Sequence, residues 1–342
     1  MKPIGESIAC DRVALQRQLL ASGRFFKLIC GAGNEDAEEV YKLSLVYTLA
    51  GAAGIDLSAR PDVVRAARRA VEDAQARVRA AGRPEPPSPY LTVSVGMPGD
   101  PHVRKARIIQ DACTQCNACI PVCPTEAIPS SLVIIESRCI GCGACSVACQ
   151  DDAVSYTHKT IEMEAVLRDC LAAGAENIEL HAAVRDHEPV LKEWELVTRL
   201  LPGQFVSVCL DRGYLSNREL QVRIERMLEL AHGRMIVQAD GIPMSGGRDD
   251  YNTTLQAVAT ADVVAKTKLP VHLLLSGGTN AKTAQLARLC GVPFAGVSVG
   301  TFARHLVYED INDPAFPGGG TLDSAVEKAA ALVQACLQDG AP

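Results

Sequence analysis

The chain has 342 residues, of which 48% are hydrophobic and 4% aromatic, and its formal net charge is −6. The length is sufficient for a barrel of about 250 residues together with a smaller module. The acidic balance argues against a general nucleic-acid-binding protein, because phosphate contacts need clustered Lys and Arg. We find no apolar run of signal-peptide or membrane-span length. We therefore expect a cytoplasmic protein without a membrane span.

Apolar runs of strand length occur eight times outside residues 107–157, and each precedes sequence with helical spacing. The first run leads into a helix whose start we assign to Asn34, a residue that can accept orphan helix N–H groups. Ser216 and Glu219 form a capping-box pattern and predict a helix over residues 216–232. The predicted strands are residues 25–31, 54–57, 91–95, 177–181, 205–210, 235–239, 271–275 and 294–299.

Eight strand–helix pairs are the count of a (β/α)8 barrel, an α/β fold. An open doubly wound sheet also alternates strands with helices, but polar or glycine-rich ends after most strands favour closure. Residues 1–103 then form the first part of the barrel, residues 104–158 an inserted module, and residues 159–342 the rest of the barrel. Insertions after strands lie on the face where barrel active sites are found. We therefore expect the module over the mouth of the barrel.

The predicted module contains eight of the fourteen cysteines of the chain, in two copies of the spacing C-x2-C-x2-C-x3-C. This spacing is typical of bacterial-type two-cluster ferredoxins, in which the fourth cysteine of each copy serves the cluster of the other. The predicted ligands are Cys113, Cys116, Cys119 and Cys149 for the first [4Fe–4S] cluster, and Cys139, Cys142, Cys145 and Cys123 for the second.

The two copies also match outside the cysteines, since Thr125-Glu-Ala-Ile corresponds to Asp151-Asp-Ala-Val at an offset of 26 residues. Two zinc sites are the alternative, because C-x2-C pairs also bind zinc. Four cysteines in one short run, present twice, favour iron–sulfur clusters. Gln150 stands where the first copy has Pro124. We therefore expect Cys149 to be held less rigidly and the first cluster to be more labile.

The loops after the seventh and eighth strands are rich in glycine, and loops at these positions commonly bind phosphate in barrels. We interpret them as a site for a flavin or another phosphate-bearing ligand; the alternative is that the glycines only form turns. The predicted contacts are Ser276, Gly277, Gly278, Gly300 and Thr301. Further polar groups follow the sixth strand, namely Gln238, Asp240, Ser245, Gly246 and Gly247.

Other chemically competent side chains stand at strand ends, on the face where catalytic groups of barrels are found. Each of them also has a structural explanation, since cysteine is commonly buried and an aspartate before Arg-Gly can form a turn. These candidates are Cys30, Asp56, His181, Cys209 and Asp211. The cysteines outside the module and away from strand ends are interpreted as core or surface thiols: Cys10, Cys170, Cys290 and Cys336.

The sequence resembles the light-dependent period proteins of cyanobacteria over nearly its whole length. The similarity lies in the eight cysteines, in Phe25-Phe-Lys-Leu-Ile-Cys-Gly-Ala-Gly-Asn, in Gln238-Ala-Asp-Gly-Ile-Pro-Met-Ser-Gly-Gly and in Ser276-Gly-Gly-Thr-Asn. The resemblance implies a redox-responsive regulator that reports the state of photosynthetic electron flow to the circadian clock. It also implies protein partners among the clock-input kinases.

Two functions remain open at this point. In a redox sensor, the clusters change oxidation state or integrity and the barrel transmits the change to a partner. In an oxidoreductase, the clusters exchange electrons with a donor or acceptor and pass them to a flavin or a phosphate-bearing substrate in the barrel mouth. A third option is that the clusters only stabilise the fold. The sequence assigns no catalytic residue.

Overall fold

A closed barrel of eight parallel strands forms the body of the protein in the computed structural model, which describes residues 4–100, 103–158, 161–241 and 248–337. The barrel order is β1, β2, β3, β6, β7, β8, β9 and β10. These strands are β1 (Phe25–Ile29), β2 (Gly54–Ser58), β3 (Tyr90–Gly96), β6 (Asn177–His181), β7 (Val206–Leu210), β8 (Met235–Asp240), β9 (His272–Ser276) and β10 (Gly296–Val299). The (β/α)8 prediction is confirmed.

Closure depends on the pairing of the first strand with the last. Phe25 of β1 lies opposite Gly296 of β10, in parallel register. A side chain at position 296 would collide with the backbone of Phe25, because a Cβ there would lie 1.9 Å from its carbonyl oxygen. The glycine therefore permits the close approach that joins the two edges, and the open-sheet alternative is wrong.

Helices surround the barrel, and their apolar faces form the main core with the outward side chains of the strands. They are α2 (Ala37–Leu49), α3 (Pro61–Ala80), α5 (Met163–Ala173), α6 (His187–Leu200), α7 (Asn217–Ala231), α8 (Tyr251–Lys266), α9 (Thr283–Leu289), α10 (Thr301–Asn312) and α11 (Thr321–Cys336). Helix α1 (Ile4–Ala21) lies at the amino-terminal end of the barrel, and α4 (Ala144–Ala148) lies in the inserted module. Helix α10 was not predicted from the sequence. No helix in the described ranges is both long and apolar enough to cross a membrane.

Two helix starts test the capping predictions. The box at Ser216 and Glu219 is confirmed, since each side chain accepts a backbone N–H of the other residue. The assignment of Asn34 was wrong: the carboxylate of Asp36 caps α2 by accepting the N–H groups of Glu38 and Glu39. The side chain of Asn34 instead accepts the N–H of Asp36, two residues ahead, in an Asx turn.

Helix α1 closes the amino-terminal end of the barrel. Leu20 packs there in an apolar cluster with Phe25, Phe205 and Ile236 from the strand starts. Arg12 fixes the helix by donating bonds of 2.9 and 2.7 Å to the carboxylate of Glu176. The lower end of the interior is therefore filled with side chains, and the polar groups described below lie above this layer.

The cysteine-rich module lies between β3 and β6, which are neighbours in the barrel. Its two antiparallel strands, β4 (Arg104–Ile108) and β5 (Val154–His158), carry the chain out of the barrel and back. Their alignment places the module at the carboxyl end of β3. Insertion after the third barrel strand is confirmed.

Candidate iron–sulfur and barrel-mouth site

The eight module cysteines line two separate cavities. The first cavity is lined by Cys113, Cys116, Cys119 and Cys149, together with Ile108, Leu132 and Ala153. The second is lined by Cys123, Cys139, Cys142 and Cys145, together with Ala106, Ala127 and Ile128. Each group therefore takes three cysteines from one copy of the motif and the fourth from the other. That the two groups are the ligand sets of two clusters stays a prediction.

Backbone N–H groups are directed at the cysteine sulfur atoms of both cavities. Cys123 and Cys149, which are equivalent in the two copies, each accept a bond of 3.3 Å from the backbone N–H four residues further on. Cys139 accepts one of 3.3 Å from Ala106 on β4. Such donors stabilise the thiolate form, which is the form that binds metal. The donor set therefore fits an iron–sulfur cluster.

The cysteines of the two groups differ in their exposure to solvent. In the second group, Cys139 and Cys145 are only 7% and 8% exposed. Burial, reinforced by the neighbouring thiols Cys142 and Cys139, raises the pKa of Cys145 to about 11. In the first group Cys116 is exposed, and the exposed side chain of Gln150 follows Cys149. A buried thiol with a raised pKa becomes a ligand only when a metal cation compensates the thiolate charge.

The second cavity is tied to the loop that follows β1. Lys105, which is 3% exposed, donates bonds of 2.7 Å to the carbonyl of Glu136 and 2.9 Å to that of Cys139. It also donates to the carbonyl of Gly33, across the junction between module and barrel. A Cβ at Gly33 would lie 2.9 Å from the carbonyl oxygen of Cys139. Glycine is therefore required where the barrel loop meets the segment that carries Cys139.

A second junction joins the module to α10. The carbonyl of Pro124, next to Cys123, lies 3.1 Å from Nε2 of His305. Tyr308, one turn further along the helix, donates a hydrogen bond to the carboxylate of Glu126. The segment after Cys123 therefore contacts a helix that begins at the barrel mouth.

A cavity of about 90 Å³ lies at the carboxyl ends of the barrel strands, and the module forms part of its wall. Ile140 and Cys142 contribute that part, so Cys142 lines both this mouth cavity and the second cysteine cavity. The predicted mouth residues come together here: Cys30, Asp56, His181, Cys209, Gln238, Asp240, Ser276, Gly277, Gly278, Gly300 and Thr301.

The remaining candidates lie elsewhere. Asp211 is not among the lining residues of the described mouth cavity, and its carboxylate accepts the N–H of Gly213 at 2.7 Å in a turn. Ser245, Gly246, Gly247 and the side chain of Cys10 lie outside the described residues. Cys170 and Cys336 are buried and Cys290 is exposed.

A buried network of charged and polar groups crosses the barrel interior and shares Asp56, Glu179 and Gln238 with the lining of this cavity. Lys27 on β1 donates a bond of 2.7 Å to Glu179 on β6 and lies 3.7 Å from Asp56 on β2. Ser207 on β7 donates to the same carboxylate at 2.7 Å. Since β1 and β6 are not neighbours in the barrel, the bond between them passes through its interior. Gln238 extends the network by donating to Glu179.

The charge states within this network follow from burial and pairing. Burial disfavours the ammonium of Lys27, but the carboxylates of Glu179 and Asp56 outweigh it and raise its pKa. Burial also opposes ionisation of Glu179, yet Lys27 and His181 hold its pKa below the usual range. For Asp56 burial dominates, and its pKa rises to about 7. The interior therefore holds a charged lysine–glutamate pair beside a carboxyl group that titrates near neutrality.

Comparison with known proteins finds family matches for the module and for the part of the barrel that follows it. Residues 106–128 and 132–155 match the 4Fe-4S binding domain, and residues 170–335 match the Light dependent period A C-terminal domain. Light dependent period A from Synechococcus elongatus is 34% identical over 274 residues, which cover 78% of this chain and 74% of that protein. The chain belongs to the Light dependent period A family. It is an iron–sulfur protein whose two motifs lie in the module described above.

Solved structures align with most of this chain at low sequence identity. The YdjI aldolase from Escherichia coli K12 aligns with a TM-score of 0.43 and 11% identity, over 95% of this chain and 93% of that chain. A putative fructose-1,6-bisphosphate aldolase from Coccidioides immitis gives a TM-score of 0.45 and 11% identity, over 94% and 92%. Similarity at this level carries no information on the activity of the family member described here.

Sequence reasoning missed the two charges at the centre of the barrel. Lys27 and Glu179 each interrupt an apolar strand, and a charged side chain in such a run is a signal of a paired group inside a barrel. Arg304, which is 2% exposed and lines the mouth, was missed because the helix that carries it was not predicted. Lys105 was missed because nothing local in its sequence shows that three carbonyl groups converge on it.

Proposed function

We propose that this protein is a cytoplasmic iron–sulfur redox sensor in the light input to the circadian clock, and that it binds two [4Fe–4S] clusters. The first cluster is held by Cys113, Cys116, Cys119 and Cys149, and the second by Cys139, Cys142, Cys145 and Cys123. Membership of the Light dependent period A family supports the role in light input. Eight cysteines in ligand spacing support a reducing compartment.

The observation that carries the proposal is the position of Cys142, which lines both the second cysteine cavity and the mouth of the barrel. A cluster held by the second group of cysteines would gain one negative charge on one-electron reduction. In a poorly solvated site such a charge acts strongly on nearby groups. The oxidation state of this cluster is therefore coupled to the conformation of the barrel mouth.

Two junctions between the module and the barrel transmit the conformational change to the outer surface of the barrel. One is the loop after β1, where Lys105 joins Gly33 to Cys139. The other is α10, where His305 and Tyr308 contact the segment that follows Cys123. A redox donor or acceptor then meets the exposed side of the module, and clock-input proteins recognise the surface near these junctions.

The test has two parts, both on anaerobically purified protein. Iron and acid-labile sulfide are counted, with about eight of each expected per chain for two [4Fe–4S] clusters. Hydrogen–deuterium exchange of residues 31–36 and of α10 is then compared between the oxidised and the dithionite-reduced protein. We expect exchange in both segments to change with oxidation state in the wild type and in Cys170→Ser, a buried control thiol, but not in Cys142→Ser. Identical exchange in both oxidation states would reject the sensor.

A second candidate function is an oxidoreductase that passes electrons from the clusters to a flavin or a phosphate-bearing substrate. It is favoured by α10, whose N-cap is Gly300, a residue without a side chain to satisfy the first N–H groups of the helix. A helix start of this kind attracts anions. The proposed contacts are Ser276, Gly277, Gly278, Gly300 and Thr301.

Denaturing the purified protein separates the two candidates. A yellow cofactor in the supernatant, or oxidation of the dithionite-reduced protein by an added phosphate-bearing substrate, supports the oxidoreductase. Absence of both, together with redox-dependent exchange, supports the sensor.

A further inference from the structure

We propose that His181, Cys209 and Asp240 bind a divalent metal ion, best matched by zinc, at the floor of the barrel mouth. The three residues end the adjacent strands β6, β7 and β8, or lie one position before the end. One donor atom from each lies within 4.8 Å of the other two. This site is separate from the module cysteines and does not rest on the proposed redox function.

The donor atoms match zinc in kind and in number. An imidazole nitrogen, a thiolate sulfur and a carboxylate oxygen are the three ligand types that zinc accepts, and three protein ligands with one remaining position are typical of its catalytic sites. With bonds of about 2.0–2.3 Å, tetrahedral ligand atoms lie about 3.3–3.8 Å apart. Small movements of the three side chains, in which Cys209 and Asp240 separate as their hydrogen bond is lost, therefore complete the site. The fourth position faces the mouth cavity, which all three residues line.

The charges of the interior also favour a cation at this place. Asp56, Glu179 and Asp240 are all at most 3% exposed, and Lys27 is the permanent cation that contacts the first two. Arg304 also lines the cavity, but it is paired with Glu39 at 3.1 Å. Among these described groups the carboxylates outnumber the cations even when Asp56 keeps its proton. A divalent ion beside Asp240 offsets that excess where water screens charge poorly.

The surroundings of the three residues suit ligation. Glu179 lies two residues before His181 on β6, and its Oε1 is 3.6 Å from Nε2 of the imidazole. A carboxylate beside a metal-bound histidine fixes the ring and raises its basicity. The thiol of Cys209 donates its proton to Asp240. Metal binding replaces this shared proton: the Cys209 S–H bond breaks, a metal–sulfur bond forms, and one proton passes to solvent.

The experiment measures zinc in cluster-loaded protein. Purified protein with a full complement of iron and sulfide is incubated anaerobically with Zn²⁺ and desalted. Its zinc content is then measured by inductively coupled plasma mass spectrometry. We expect about one tightly bound zinc per chain in the wild type. Cys209→Ser and His181→Ala should lose most of it. Cys30→Ser, which removes a different cysteine of the same cavity, should keep it.

X-ray absorption at the zinc edge identifies the site. One sulfur at about 2.3 Å with nitrogen or oxygen ligands fits the proposed triad, whereas four sulfur ligands indicate zinc in a cluster cavity. Retained iron content and thermal midpoint show that each variant is folded. Cys142→Ser should still bind zinc. The zinc measurement can therefore be interpreted even if the redox proposal fails. Less than stoichiometric zinc in the wild type, four-sulfur coordination, or unchanged zinc in Cys209→Ser would overturn the proposal.

Discussion

The buried ammonium of Lys105 donates a 2.9 Å hydrogen bond to the carbonyl oxygen of Cys139. The same ammonium lies 3.4 Å from the carboxylate of Glu35 in the loop after β1. A single side chain on β4 thus connects the segment carrying one predicted cluster ligand to the barrel. It also places a positive charge beside the second cysteine cavity, where burial limits screening.

Replacing this lysine tests its electrostatic role. A cation next to a cluster stabilises the reduced state, so Lys105→Met should lower the reduction potential of the second cluster by tens of millivolts, given that about 59 mV corresponds to 1.4 kcal/mol for one electron. Redox titration followed by electron paramagnetic resonance measures the shift. Arg107→Met removes an exposed charge two residues along the same strand and should have a much smaller effect. Equal shifts in the two variants would contradict the prediction.

Unequal exposure of the two cysteine groups predicts unequal stability of the clusters in air. Cys142→Ala keeps the first, more exposed group intact, and Cys116→Ala keeps the second, more buried group. After exposure to air, we expect the visible absorption of Cys142→Ala to bleach several-fold faster than that of Cys116→Ala. The reason is that oxidants reach exposed sulfur more readily.

The position after Cys149 offers a matched gain-of-stability test. Gln150→Pro restores the residue that follows the equivalent cysteine of the first copy, and it should slow bleaching in the Cys142→Ala background. Gln150→Ala serves as the control, because it removes the glutamine without stiffening the backbone. Equal bleaching rates of the two double variants would show that backbone rigidity at position 150 does not affect the stability of the cluster in air.

The lysine–glutamate pair inside the barrel predicts a large stability effect. Lys27→Met leaves Glu179 buried without its ammonium partner, so we expect the free energy of unfolding to fall by about 3–5 kcal/mol. Adding Glu179→Gln removes the uncompensated charge and should recover part of the loss. Anaerobic denaturant unfolding followed by circular dichroism measures these changes.

A surface pair provides the control for that series. Lys266→Met breaks the exposed ion pair with Asp262 and should cost less than about 1 kcal/mol. If Lys27→Met is no more destabilising than this control, the interior pair contributes little to stability.

The carboxyl group of Asp56 predicts a pH dependence of stability. Burial raises its pKa to about 7, so the native state keeps the proton to higher pH than the unfolded chain does. This group therefore favours folding at low pH, and its contribution falls as the pH rises from about 4 to about 7. Between pH 6 and pH 8 the free energy of unfolding should fall by roughly 1 kcal/mol. Asp56→Asn should abolish this contribution to the slope of the free energy of unfolding against pH, measured by anaerobic denaturant unfolding.

The matching control is a carboxylate whose pKa moves in the opposite direction. Asp62 is paired with Arg60 at the surface, which lowers its pKa. Asp62→Asn should leave the slope between pH 6 and pH 8 unchanged, because both its native and unfolded states are ionised there. A wild-type slope in Asp56→Asn would contradict the assignment.

The barrel could be predicted from the sequence because its signals are local. Each strand is a short apolar run followed by a helical pattern, and the insertion was visible as a cysteine repeat between two such runs. The capping box at Ser216 is equally local. Asn34 and Asp36 show the limit of such signals, since both are good capping residues and only the path of the loop decides between them.

The interior of the mouth depends on long-range pairing that no local pattern encodes. Lys27 and Glu179 are 152 positions apart, and Gln238 and Ser298 are 60 apart. The barrel brings them together only after its edges have closed. The strand-end candidates His181, Cys209 and Asp240 could each be named from the sequence, but their convergence depends on β6, β7 and β8 being neighbours.

The closure of the lower end of the barrel by α1 has a kinetic consequence. In the part of the chain that the structure describes, Leu20 and its apolar neighbours fill that end, while the upper cavity is bounded on one side by Ile140 and Cys142. A small molecule in the interior therefore leaves by the route through which it entered. A change confined to the side of the entrance formed by Ile140 and Cys142, and without effect on the bound state, would multiply the rate constants of entry and exit by the same factor. The residence time of such a molecule in the barrel would then depend on the conformation of the module, while its Kd would stay constant.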